Sequence, residues 1–242
     1  MELKIIGSGS KGNGYVLDAG NEALVIECGV KLLEVKRAVG FNLSKIVGCI
    51  VTHQHNDHAG YAKEYCNAGL LVLALQEVIT AKGLENAKAI TIGKGYIMGG
   101  FKVLPFMVKH DVPCVGYLIQ HKQCGKVVFI TDTYAMPYDI EGINYWMIEA
   151  NYADDILEAN IERGKILPVM RDRLLLSHME ISNTIGVLQR SDLSQTKSIV
   201  LIHLSDGNSN ANRFVEDVKR ATGKPTCWAK NGTVLPFDLC PL

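Results

Sequence analysis

The sequence predicts an α/β protein of four layers (αββα), two β-sheets packed face to face with helices covering both outer faces. Three observations carry this expectation. Short runs that are wholly apolar, or apolar at every second position, alternate with helix-like segments through both halves of the chain. At 242 residues and 48% hydrophobic content the chain can bury one sizeable core, so one domain over residues 1–242 is expected, with no linker, low-complexity run or short-period repeat inside it. Polar residues able to do chemistry recur just after the apolar runs, where a rigid scaffold presents them on loops.

Leu3 to Ser8, Gly14 to Asp18 and Ala23 to Glu27 have the composition of three short strands, the last two joined by the hairpin signal Ala19-Gly20-Asn21-Glu22. The break from Gly7 to Gly14, Gly-Ser-Gly-Ser-Lys-Gly-Asn-Gly, is longer than a hairpin needs. Its amides, hydroxyls, Lys11 and Asn13 can cradle a phosphate, and the same composition suits a flexible glycine turn. A helix follows from about Lys31 to Val39, a buried strand from Ile46 to Val51, the polar stretch 52–58, and a helix from Ala59 to Ala68. Then come a strand at Leu70 to Leu75, a helix from about Gln76 to Leu84, and a strand-rich stretch from Ala89 to Val108. Val115 to His121 and Lys126 to Ile130 form a hairpin through Gln123-Cys124-Gly125. A strand at Tyr145 to Ala150, helices near 154–163 and 181–189, a strand at Ser198 to Leu204, a helix from Asn210 to Ala221 and a last strand from about Pro225 complete the order.

No apolar run follows a basic amino terminus, and no segment approaches the roughly 20 consecutive apolar residues that span a bilayer. A soluble, cytoplasmic protein that does not engage a membrane is expected. The cysteines (Cys28, Cys49, Cys66, Cys114, Cys124, Cys227, Cys240) are odd in number, scattered and without a Cys-x-x-Cys pair, as suits buried free thiols in a reducing compartment. Net charge is zero, although residues 160–230 carry 11 Lys and Arg against 7 Asp and Glu. Global charge therefore supplies no pull toward nucleic acid.

The densest chemistry lies in Thr52-His53-Gln54-His55-Asn56-Asp57-His58, between the strand at 46–51 and the following helix. Alternation along an extended backbone points His53 and His55 the same way, and the turn carries Asp57 and His58 around behind them. Two imidazoles facing one point, and a carboxylate with an imidazole facing another, describe two adjacent metal sites. Further polar residues at strand ends are His110, Asp132, Glu149, His178 and His203, which one edge of a sandwich would gather. Only His121 is left over, and it is expected to be an exposed strand-end residue.

The spacing His-x-His-x-Asp-His at 53–58 resembles the metallo-β-lactamase superfamily. The resemblance implies the metallo-β-lactamase fold, a first metal on His53, His55 and His110, a second on Asp57, His58 and His203, and Asp132 bridging them. Three imidazoles with an open position make a hydrolytic zinc site, and a carboxylate can bridge two cations about 3.5–4 Å apart. Glu27 stands where the family usually has an aspartate that braces the histidine loop without touching metal, with Asp18 as the second candidate for that place. Glu149-Ala150-Asn151 and His178 in Leu176 to Asn183 look like the acid and histidine motifs of the nuclease branch, which includes tRNase Z and RNase J. Gly9-Ser10-Lys11-Gly12-Asn13, His110-Asp111 with Val115-Gly116-Tyr117, and His203 to Asn208 are most similar to the small YycJ-type nucleases, over nearly the whole chain. With 28 residues between Glu149 and His178, the β-CASP insertion of RNase J type enzymes has no room, and no long exosite arm like that of tRNase Z is apparent.

The expected function is metal-dependent phosphodiester hydrolysis, with nucleic acid (DNA or RNA) as substrate and a hydroxide held between two divalent ions, zinc or manganese, as nucleophile. Asp57 or Asp132 would orient that nucleophile, and His178 polarised by Glu149 would protonate the leaving alkoxide. Ser10, Asn13, Ser182, Asn183 and Asn208 are candidate phosphate contacts. The alternative is a hydrolase of a small metabolite, a cyclic phosphodiester, lactone or thioester, on the same two-metal site. A non-catalytic binding protein on this fold would lack ligands, and here the set is complete. The sequence does not distinguish a monomer from a homodimer.

Overall fold

A computed structural model describes residues 1–239, apart from the side chains of Pro168 and Met170; Cys240 lies outside the described residues. The first half runs β1 (Glu2–Gly7), β2 (Gly14–Asp18), β3 (Ala23–Ile26), α1 (Leu32–Ala38), β4 (Ile46–Ile50), α2 (Asn56–Ala59), α3 (Ala62–Asn67), β5 (Val72–Ala74), α4 (Gln76–Lys82) and β6 (Ala87–Ala89). The second runs β7 (Tyr96–Met98), β8 (Phe101–Val108), β9 (Cys114–His121), β10 (Gly125–Ile130), β11 (Tyr145–Glu149), α5 (Asp154–Glu162), α6 (Pro168–Ser177), α7 (Ile181–Arg190), β12 (Ser198–Ile202) and α8 (Ala211–Thr222). The short strands β13 (Thr226–Trp228) and β14 (Val234–Pro236) follow.

Two seven-stranded mixed sheets form, as expected, in the orders β14-β1-β2-β3-β4-β5-β6 and β13-β12-β11-β10-β9-β8-β7. Strand pattern follows burial. Every residue of β11 (Tyr-Trp-Met-Ile-Glu) is buried, because a parallel strand is covered by the opposite sheet on one face and by helices on the other. Strand β8 instead alternates buried and more accessible positions. Between the sheets, Tyr15 on β2 meets Phe129 on β10 edge to face with centroids 5.5 Å apart, and the Tyr117 hydroxyl donates to the Val51 carbonyl at 2.7 Å. Outside the second sheet, Val187 and Leu188 of α7 and Phe214 and Val218 of α8 cover Trp146, Ile148, Ile199 and Leu201. Fully burying such side chains contributes about 1.5–3 kcal/mol each.

Several expectations need correction. The helix expected over 59–68 is two pieces, α2 and α3, because Tyr61 N donates to the Cys28 carbonyl and the chain turns there. Helix α6 and strand β14 had no counterpart in the pattern. His121 is buried, not exposed: it packs on Phe101 at 4.6 Å and its Nε2 lies 3.2 Å from Glu22 Oε1. The six described cysteines are free, and all but half-buried Cys227 are buried. Among the described residues no helix is long and apolar enough to cross a membrane.

Asp18, the second candidate brace, is engaged elsewhere, buried between Lys4 Nζ and Lys45 Nζ, each 2.7 Å away. Burial pushes its carboxyl up, but the two ammonium hydrogen bonds more than reverse this and hold it below the ordinary range. A depressed carboxyl contributes stability that is present above its unfolded pKa and lost as pH falls through the folded one. Asp18→Asn should therefore lower urea-melt stability by about 2 kcal/mol at pH 7. The difference from wild type should shrink steadily below about pH 4.

Candidate metal centre

The donor residues come from loops at one edge of both sheets. After β4 the chain stays extended through His53 and His55, and α2 then presents Asp57 and His58 from its first turn. His110 follows β8, Asp132 follows β10, Glu149 ends β11, His178 caps α6 and His203 follows β12. Glu27, Asp132 and His203 have positive φ, 68°, 49° and 54°, each just past a strand. Such strain persists only where the surroundings over-determine it, and here it turns each side chain into the cluster.

The donor atoms converge. His55 Nδ1 lies 3.0 Å from His53 Nε2 and 3.3 Å from His110 Nε2. His58 Nε2 and His203 Nε2 each lie 3.3 Å from Asp57 Oδ2, and His58 Nε2 is 3.1 Å from Asp132 Oδ2. Bonds of about 2.0–2.1 Å to a tetrahedral ion separate its ligand atoms by about 3.3–3.4 Å, so these spacings are those of a coordination shell. Among the described residues four groups could hold a cation: His53, His55 and His110; Asp57, His58 and His203; His53, His58 and Asp132; and Asp132, Glu149, His178 and His203.

Hydrogen bonds on the far side of the rings set which nitrogen is bare. His110 Nδ1 is 3.0 Å from the Ser177 carbonyl, which can only accept, so Nδ1 carries the proton and Nε2 faces inward with its lone pair. Thr52 Oγ1 donates to Glu27 Oε1 at 2.6 Å and therefore accepts from His53 Nδ1, 2.9 Å away, which bares His53 Nε2. His203 Nδ1 lies 3.0 Å from Glu149 Oε1, with the same result. Inward lone pairs backed by outer acceptors are the arrangement that metal-ligating histidines require, so the donor set fits divalent ions.

Glu27 sits behind the cluster, buried; His58 Nδ1 is 3.2 Å from its Oε1 but outside hydrogen-bond geometry. The glycine loop also packs behind the ligands. Asn13 N donates to the Asp57 carbonyl at 2.7 Å and Cys28 N to the His58 carbonyl at 2.7 Å. Ser8 Oγ accepts from His203 N at 2.9 Å. A Cβ on Gly29 would come within 1.7 Å of the Asp57 carbonyl oxygen, so only glycine lets the loop seat this closely.

Charge balance is the dominant electrostatic feature. Burial pushes His53 and His110 down, toward the neutral form that binds metal. Burial also opposes charge on His58, His203 and His178, but carboxylates outweigh it. Asp132 chiefly raises the first two, His203 up to about 10, and Glu149 raises His178. Burial likewise opposes ionisation of Asp57, Asp132 and Glu149, yet neighbouring histidines hold all three below the ordinary range. Without an ion, imidazolium protons neutralise the buried carboxylates.

The cluster opens into a cavity of about 490 Å³ lined also by Ser10, Asn56, Asp111, Asn151, Arg173 and Ser205. Of the five residues expected to contact phosphate, only Ser10 is on this wall. Asn13 is 1% exposed, its carboxamide engaged by Gly9 and the Asp57 carbonyl. Asn208 is buried and accepts from Asn160 Nδ2 at 2.9 Å. Ser182 and Asn183 line a separate recess beside Tyr134 and Arg190. Lys11 pairs with Asp206 at 2.7 Å, Gly9 N and Gly12 N donate within the loop, and Ser8 N and Asn13 N donate to Asn231 Oδ1 and the Asp57 carbonyl, so these four amides are engaged by the protein. Arg173, the one arginine or lysine on the wall among the described residues, went unpredicted because it lies on α6. Its only sequence signal was Pro168 at the helix start.

Residues 7–135 match the metallo-beta-lactamase superfamily profile. The chain is 25% identical over 233 residues to exodeoxyribonuclease WalJ of Streptococcus pneumoniae serotype 2 (strain D39), covering 86% of this chain and 83% of that one. It is 25% identical over 229 residues to exodeoxyribonuclease YycJ of Bacillus anthracis, covering 86% and 84%. Among solved structures, the metallo-beta-lactamase fold protein YhfI from Bacillus subtilis superposes with a TM-score of 0.76 at 17% identity over 97% of this chain and 98% of that one.

In the metal-free protein the raised His58 and His203 stabilise the fold fully below their unfolded pKa of about 6.5, and this contribution is lost as pH rises. A cation must displace those protons. Zinc or manganese added to chelator-stripped protein should therefore raise Tm by more at pH 8 than at pH 6, as read by thermal melts. An equal gain at both values would contradict the charge balance described.

Proposed function

The chain belongs to the metallo-beta-lactamase superfamily, and on that premise we propose that it is a metal-dependent phosphodiester hydrolase acting on nucleic acid. DNA is the first polymer to test, because the two relatives at 25% identity are named exodeoxyribonucleases. In this reading His53, His55 and His110 would hold one zinc or manganese ion and Asp57, His58 and His203 a second, with Asp132 between the two groups as a further ligand. Bound there, such ions make water nucleophilic near neutral pH and offset charge on phosphate oxygens.

The observation that carries the proposal is the pair added to this donor set. His178 Nδ1 lies 2.8 Å from Glu149 Oε1, and the ring also lines the cavity. The carboxylate keeps the imidazole protonated and aimed, so the opposite nitrogen can give its proton to a leaving alkoxide. Glu149 is itself fixed, its Oε2 accepting from Thr133 N and Met179 N at 3.2 Å each. Asp57, half-exposed at the cavity, orients the nucleophile. Arg173 takes a non-bridging phosphate oxygen with its guanidinium fork, and Ser10 and Ser205 supply further polar contacts.

His178→Ala should slow cleavage of an end-labelled oligonucleotide by about 10²-fold or more. It should spare bis-p-nitrophenyl phosphate, whose leaving group needs no proton. Equal losses on both, at unchanged metal content, would remove the acid role. Arg173→Ala should raise KM for the oligonucleotide roughly tenfold, with kcat less affected, as expected for a lost charge-assisted contact. Hydrolysis of lactones or thioesters with no polymer cleaved would replace the nuclease reading by the small-metabolite one.

A further inference from the structure

Beside the metal cavity lies a second, larger one of about 610 Å³, between the β8–β9 loop and the start of α4. The two share His110 and Asp111 in their linings, so the second cavity adjoins the cluster. Its character differs. The cluster is walled by carboxylates and imidazoles, whereas Leu75, Ile92, Met107, Val112, Pro113 and Tyr134 give this cavity an apolar lining. Lys109, Glu77 and the shared Asp111 add one positive and two negative charges. Ile92 and Met107 are 40% and 55% exposed at this lining, in a chain that buries most of its large apolar side chains. Tyr134 stands two residues after Asp132, and its backbone N donates to the Lys109 carbonyl at 3.2 Å, so the aromatic ring is carried on the same segment as a donor of the metal cluster.

We propose that this cavity is a nucleobase subsite, which receives the base of one nucleotide flanking the phosphodiester held at the metal cluster. The assignment rests on the phosphodiesterase reading above and deepens it. A largely apolar lining that includes one aromatic side chain suits the π-face of any base, and a few polar groups can meet its edge, which makes the subsite tolerant of sequence.

The test uses the full chain loaded with zinc or manganese and three oligonucleotides. One is intact, one lacks the base on the 5′ side of the first phosphodiester cleaved, and one lacks the base on its 3′ side. One abasic substrate should lose about tenfold in kcat/KM and the other little, which identifies the side that enters the subsite. In Met107→Asp and in Ile92→Asp, the intact oligonucleotide should fall toward the abasic one, with metal content and Tm as controls. Cleavage of all three at one rate, or equal losses for both abasic substrates, would overturn the subsite and leave the phosphodiesterase reading standing. Failure to cleave the intact oligonucleotide or bis-p-nitrophenyl phosphate under any metal would overturn both.

Discussion

Four carboxylates, Glu27, Asp57, Asp132 and Glu149, gather at one edge of the sandwich, three of them buried. Each buried charge costs several kcal/mol in lost hydration unless matched, and this constraint organises the rest of the edge. Matching comes from His58, His178 and His203, whose rings lie 2.8–3.3 Å from carboxylate oxygens of the group. The strained backbone at Glu27, Asp132 and His203 is held in place by the same requirement, since relaxing any one would strand a charge without a partner. A divalent ion satisfies the balance with fewer protons, which makes ion binding and proton release one event.

The two sheets solve this problem twice. Read outward from β14 and from β7, each sheet has three antiparallel pairings followed by three parallel ones. Glu27 after β3 and Asp132 after β10 then occupy equivalent places, both with left-handed backbone at the point where the pairing changes. Their tasks have diverged. Glu27 reaches back to Thr52 and stays behind the histidines, while Asp132 reaches forward among them. Each half thus contributes part of one cluster, and the glycine loop of the first half closes over His203 of the second through Ser8.

Much of this was legible in the residues. Buried parallel strands such as β11 and β12 are continuous apolar runs, and a polar residue at the end of such a run stands at the sheet edge; hence His53, Asp132, Glu149 and His203 could be gathered before any coordinates. Ser8 and Asn13 could not be read correctly, because hydroxyls and amides that brace ligands have the same composition as those that bind phosphate. His121 was misjudged because its cover, Glu22 and Gly100, arrives from distant parts of the chain. Helix α6 escaped because it has no apolar stripe; Leu167 before it and Val169 and Leu176 within it are exposed, and an Arg171 to Glu158 ion pair at 2.6 Å ties it down. Arg173 escaped with it.

Strand β14 has a consequence for how the chain comes to life. It is the partner of β1, with Leu3 opposite Leu235, so β1 lacks its outer partner until a segment 232 residues further along has been synthesised. His203 is likewise delivered late, long after His53 and His55 have left the ribosome. A nascent chain that has not reached His203 therefore carries an incomplete donor set and an unpaired strand, in need of shielding from its neighbours. His203 and β14 both lie beyond residue 200, so the donor set and the cover of β1 are completed by the same late stretch of the chain.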